Sequence, residues 1–208
     1  MGKNERKRIW KLAQQTAFNC GRTRNSNKTN KLSNKNKIKE KIKKEIKASF
    51  TEKKTQKKID GLTGSDLNSA LNCFPNFLGC VPEDKLDELV FGSLPCFIIV
   101  NIDSGNMPAS HWIALGLFKE SVEIFDPLGF DIFNWNRVPC SLLNFVHRLS
   151  VTRKLKIAHR IQSDSSTLCG HFCLFYIFMR KHTNMKSIMN YFGSKFSCKD
   201  SILLKFFS

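Results

Sequence analysis

From residue 61 onward the apolar positions fall into short runs whose period changes from one run to the next. Thr63-Gly64-Ser65-Asp66 ahead of Leu67, Ala70 and Leu71 is a helix start, because a hydroxyl or carboxylate there accepts from otherwise unpaired backbone N–H groups. Behind Pro82, the grouping of Leu86, Leu89 and Val90 predicts a second short helix over 83–90. Three β-rich runs follow at 96–100, 111–118 and 121–125, and Lys119-Glu120 between the last two predicts a tight turn. Together these predict a meander of antiparallel strands. Leu142, Leu143, Phe145, Val146 and Leu149 repeat at helical spacing, whereas Leu155, Ile157 and Ile161 predict a strand over 155–162. Residues 169–179 are apolar almost all round, the pattern of a buried helix, and 185–192 and 201–207 predict two more. With strands grouped first and helices last, the fold class expected is α+β: one domain over 61–208, with a mostly antiparallel sheet flanked by helices.

Upstream the pattern dissolves. Residues 25–58 are mainly Lys, Asn, Ser and Thr, too poor in apolar area to offset chain entropy, so residues 1–60 are expected to form a largely disordered basic arm. Within it Ile38, Ile42, Ile46 and Phe50 recur every fourth residue. That spacing fits either a basic amphipathic helix on an anionic surface or a solvated lysine-rich tail. Charge sharpens the boundary: residues 1–58 carry 20 Lys and Arg against 4 Glu, so +16 of the chain's +17 lies in the arm.

The 208 residues include 18 Phe and are 41% hydrophobic, enough for a sizeable core. There are eight cysteines, but the N-terminus is polar and basic with no apolar leader, so a reducing intracellular compartment is expected, the nucleus or a virion among them. The longest mainly apolar stretch, 168–179, contains His171 and is too short to span a bilayer, so no membrane contact is expected. Met1-Gly2 lacks the Ser or Thr that a myristoylation signal wants, having Arg6 instead.

Candidate chemistry concentrates in Gln162-Ser-Asp-Ser-Ser-Thr-Leu-Cys169-Gly170-His171, where a cysteine stands on a polar loop just before the buried helix. A thiol at a helix N-terminus meets the positive end of the macrodipole and unpaired N–H groups, and both favour the thiolate. Gly170 is expected to let a substrate backbone approach. A thiolate nucleophile needs a base, and His111 stands at the start of a predicted strand. The neighbouring strand ends in Phe125-Asp126-Pro127, so the turn brings an aspartate toward the imidazole, able to hold its tautomer and support its charge.

His111-Trp112, then Phe125-Asp-Pro-Leu-Gly-Phe130, then Gln162 with Cys169-Gly170 seven residues later, resembles the adenovirus protease (adenain) family and the related proteases of Maverick/Polinton transposons. The resemblance covers 61–208. It implies Cys169 as nucleophile, His111 as base or ion-pair partner, Asp126 as orienting acid and the Gln162 amide as an oxyanion donor. It also implies hydrolysis of a protein or peptide substrate, processing of viral or transposon structural precursors, and DNA as an activator rather than a cofactor of the chemistry. Two positions depart from the family. Val151 stands where adenovirus enzymes carry the cysteine that takes an activating peptide, and Asp126 stands where they have glutamate.

Other readings remain open at this level. Proteases for ubiquitin-like modifiers, the SUMO type included, share the His, Asp, Gln, Cys order. A DNA-binding protein with a protease-like scaffold would use the basic arm on phosphates without sequence readout. His171 is a rival base by proximity, though residues two apart on a helix face different sides. His147, His159 and His182 are expected on surfaces or near helix ends, and Trp112 either beside the site or in the core. Cys173 is expected in the core, and with no second ligand pair at zinc spacing no metal is expected.

Overall fold

The computed structural model describes residues 61–106, 111–129, 138–193 and 199–207, together with Glu40, Lys41 and Lys44. Those three are helical and exposed; otherwise the arm, its amphipathic-helix reading and its DNA contact lie outside the described residues.

The domain opens with α1 (Gly64–Leu71). Thr63 caps it through a reciprocal box: its Oγ1 accepts from the Asp66 N–H at 3.2 Å, and the Asp66 carboxylate accepts from the Thr63 N–H at 3.0 Å. Such a cap contributes about 1 kcal/mol and sets where the helix begins. Then come β1 (Phe77–Pro82), a 3₁₀ helix (Glu83–Glu88), β2 (Cys96–Asn101), β3 (Trp112–Leu117) and β4 (Ser121–Phe125). After these follow α2 (Cys140–Ser150), β5 (Lys154–Ile157), α3 (Cys169–Arg180), α4 (Met185–Tyr191) and α5 (Lys199–Phe207).

The strands form one sheet in the order β1-β2-β3-β4-β5. The predicted meander is its centre: β2, β3 and β4 are antiparallel, and the Phe118 N–H donates to the Ser121 carbonyl at 2.8 Å across Lys119-Glu120. Both edges are parallel, so the sheet is mixed rather than mostly antiparallel. The chain reaches β2 from β1 through the 3₁₀ segment, and reaches β5 from β4 through α2. A crossover of that kind returns the chain in its original direction.

Two expectations change in detail. The 83–90 helix is a 3₁₀ helix ending at Glu88, and the 155–162 strand stops at Ile157. Beyond Ile157 the chain still tracks its neighbour: the Ala158 N–H donates to the Ile124 carbonyl, and the Ile161 and Gln162 N–H groups donate to the Pro127 carbonyl. Strand β1 has no counterpart in the sequence reading, because Gly79 and Pro82 interrupt it, its register slips between Phe77 and Cys80, and all its residues are half-buried.

Strands β2, β3 and β4 are buried on both faces. Cys96, Ile98 and Val100 turn toward α2, while Phe97 and Ile99 turn toward α1 and α3. The result is three layers, with α3 as the central helix of the larger core, where every residue from Cys169 to Met179 is buried. At about 1.5–3 kcal/mol for each large apolar side chain removed from water, this helix is held by tertiary burial rather than by propensity.

Candidate active site

The site forms where α3 begins, against one end of the central hairpin. His111 lies just ahead of β3, and its carbonyl accepts from the Ile102 N–H at 3.2 Å, which ties the β2–β3 connection together. Asp126 lies just past β4. The β3–β4 ladder pairs Ala114 with Phe125, so these two side chains emerge at the same end of the hairpin.

Asp126 Oδ1 and His111 Nε2 are 2.7 Å apart, with both residues buried. The same oxygen accepts from the Leu128 N–H at 2.9 Å, and the Gly129 N–H donates to the Asp126 carbonyl at 3.0 Å. The carboxylate is therefore held by its own turn. Gly129 makes that turn feasible: its φ is +89°, and a Cβ there would lie 3.0 Å from the Arg160 side chain.

Cys169 is the first residue of α3 and is buried, at a helix end whose first N–H groups have no partner within the helix. Asp126 engages His111 Nε2, and the Cys169 thiol is close enough to the ring to help raise its pKa. Burial alone pushes the imidazole down, but the hydrogen bonds to Asp126 and Cys169 and their charges outweigh it. His111 is thereby raised from 6.5 to about 9 and is protonated at neutral pH.

Gln162 is brought in by the Asp126 turn, since its N–H donates to the Pro127 carbonyl at 2.8 Å. Its side chain is buried, with Nε2 donating to the Ser166 carbonyl at 2.6 Å, while Oε1 has no partner among the described residues. One Nε2 hydrogen is thus committed to the Ser166 carbonyl, which leaves the second for a ligand. The Arg160 Nε donates to the Gln162 carbonyl at 3.0 Å and braces the same loop. All four predicted site residues, His111, Asp126, Gln162 and Cys169, therefore belong to one end of the sheet and one helix start. The roles of Ser166 and Pro127 escaped the sequence reading, because they act through main-chain carbonyls that carry no residue-type signal.

Other predicted residues fall elsewhere. His171 turns away from Cys169 to pack edge-on against Phe207, its ring centroid 5.1 Å away, and burial lowers it to about 4. Cys173 is fully buried, with Sγ donating to the Trp112 carbonyl at 3.3 Å. His147 and His182 are half-buried and His159 is exposed. Gly170 is a correction: a Cβ there would meet Leu62, Leu67 and Trp112 at 3.2–3.5 Å, so it serves close packing inside the domain rather than approach of a substrate. Trp112 is buried over that glycine.

Among the described residues no three His, Cys, Asp or Glu side chains are grouped to hold a metal ion, and no helix is long and apolar enough to cross a membrane. Cys73, Cys80, Cys96, Cys140, Cys169 and Cys173 are free. No protein-family model matches the chain, and no curated protein matches it.

Proposed function

We propose that this protein is a cysteine endopeptidase of the adenovirus-protease type, with Cys169 as nucleophile, His111 as its base, Asp126 as orienting acid and Gln162 as oxyanion donor. The observation that carries the proposal is the buried His111 ring, bonded to the Asp126 carboxylate at 2.7 Å, with the Cys169 thiol at the start of α3 close enough to help raise its pKa. A histidine tied to an acid on one side and a helix-start thiol on the other is the arrangement that activates a sulfur nucleophile.

The Cys169 thiolate adds to the scissile carbonyl carbon, and the oxyanion that develops meets the Cys169 N–H and the Gln162 amide. The C–N bond breaks as the His111 proton passes to the leaving amine, giving a thioester. Water then adds to that thioester, yielding its proton to His111, and the carboxylate product leaves as the thiolate and imidazolium pair re-forms. Asp126 keeps Nε2 protonated and the ring oriented throughout. The natural substrates proposed are structural precursor proteins of a virus or transposon.

Limiting iodoacetamide near neutral pH, read by intact mass and peptide mapping, tests the nucleophile. Cys169 is expected to react faster than the other cysteines and to slow in His111→Ala, and an unfolded protein substrate is expected to be cut by wild type but not by Cys169→Ala. A Cys169 that reacts no faster than its neighbours, with or without DNA, would refute the proposal. A ubiquitin-like fusion in the same assay separates the SUMO-type alternative, since efficient cutting after the folded modifier would favour that class.

A second reading, nucleic-acid contact, has its own support in the +16 carried by residues 1–58. DNA affinity is expected to fall steeply with salt in the full chain. Affinity indifferent to salt would sink it.

A further inference from the structure

Residues 61–63, where the basic arm joins the domain, run across both halves of the site. The Trp112 Nε1–H donates to the Leu62 carbonyl at 2.9 Å, and Trp112 is the chain neighbour of His111. On the other side, a Cβ at Gly61 would lie 3.2 Å from the Thr167 carbonyl oxygen, and one at Gly170 would lie 3.2 Å from the Leu62 Cβ. Thr167 and Gly170 flank Cys169. Thr63 then anchors the strap by capping α1.

Trp112 is held from a second direction. The Trp112 carbonyl accepts from Cys173 Sγ at 3.3 Å, one helical turn below Cys169. Its ring lies against Gly64, where a Cβ would come within 3.2 Å of Cη2, and against Gly170, where a Cβ would come within 3.5 Å of Cδ1. Three glycines, 61, 64 and 170, thus permit a close approach of strap, indole and helix that any side chain would widen. An indole N–H buried in this way needs an acceptor, and the strap carbonyl supplies it.

From this geometry we infer that Trp112 and the Leu62 main-chain carbonyl are positioning residues that hold the His111 strand and the Cys169 helix at their working separation. The inference rests on the cysteine-peptidase reading of the site. Neither group touches the reacting atoms. Each acts through a chain neighbour, and small displacements suffice, because a misplacement of about 1 Å at such a site lowers rate by about a hundredfold.

The test uses full-length protein. Trp112→Phe removes the indole N–H while keeping an aromatic ring; Gly61→Ala crowds the Thr167 carbonyl without touching Trp112; Gly92→Ala, a site with nothing within 4 Å of its Cβ, is the control. The rate of Cys169 alkylation is measured from pH 5 to 10, alongside thermal melting. Trp112→Phe and Gly61→Ala are each expected to slow alkylation at neutral pH about tenfold and to shift the His111-linked step away from about 9, with Gly92→Ala following wild type. A profile unchanged in both variants, whatever the melting temperature does, overturns the inference. His111→Ala separates the two levels. If it alters the profile and the strap variants do not, only the positioning role fails. If His111→Ala changes nothing, the peptidase reading fails and the positioning role falls with it.

Discussion

The two ends of helix α3 each hold a buried polar cluster drawn from the same β3–β4 hairpin, and they differ in what they leave unpaired. At the C-terminal end Glu123, fully buried, accepts from Tyr176 Oη at 2.9 Å and Arg180 Nε at 2.7 Å on one oxygen. Its other oxygen accepts from an Arg180 terminal nitrogen and Lys156 Nζ, both at 3.1 Å. Arg180 also donates to the Thr183 carbonyl and lies 4.1 Å over the Phe118 ring. At the N-terminal end, the Gln162 Oε1 has no partner among the described residues and the Gln162 amide makes one hydrogen bond of the two it can donate. A polar cluster whose bonds close on themselves rigidifies a core, whereas one that stays incomplete has capacity for a ligand. The first ties helix to hairpin, and the second is the candidate site.

That contrast predicts substitutions of opposite character. The largest effect is expected from Cys169→Ala, which should abolish peptide hydrolysis by at least about a thousandfold while leaving urea unfolding nearly unchanged. Asp126→Asn should follow, lowering kcat/KM by about a thousandfold or more and moving the His111-linked step in the pH profile below its value of about 9. Glu123→Ala should do the reverse. It leaves the Arg180 charge half-buried without its partner and should cost about 3–5 kcal/mol in urea unfolding, with Cys169 reactivity retained in whatever folds. Loss of Cys169 reactivity without loss of stability in Glu123→Ala would break the comparison.

The pH response should divide the same way. His111 is raised above its ordinary 6.5, so the stability it contributes is fully present below about 6.5 and is lost as pH rises through about 9. Burial alone would raise Glu123, but Arg180 and Lys156 more than compensate and hold it below its ordinary 4.5. Its contribution is present above 4.5 and lost as pH falls through the lowered value. Unfolding followed across pH should therefore show an alkaline loss that Asp126→Asn removes and an acid loss that Glu123→Gln removes. The smallest expected effect is Tyr176→Phe, about 1–2 kcal/mol for a buried hydrogen bond to a charged acceptor, measured by the same unfolding.

Much of the candidate site was legible in the sequence because its signals are local. A cysteine between a polar loop and an apolar run marks a helix start, a Thr-x-x-Asp pattern marks a cap, and Phe125-Asp126-Pro127 marks a strand end. The Glu123–Arg180 pair was not legible, since 57 residues separate the partners and each alone resembles an ordinary surface charge. Gly116 shows the same limit. It reads as a weak point in a strand, yet a Cβ there would come within 2.6 Å of the Tyr176 hydroxyl that reaches Glu123.

The sequence by itself determined the α+β class, the capped start of α1, the central meander and the candidate site residues, because period, caps and turns act within a few residues. Tertiary structure alone decided that the sheet edges run parallel, that Gly170 packs under Leu62 and Trp112, and that Gln162 hangs from the Pro127 carbonyl beside Asp126. Those outcomes depend on crossover paths and strand register, which bring distant segments together, and no local pattern in the chain encodes them.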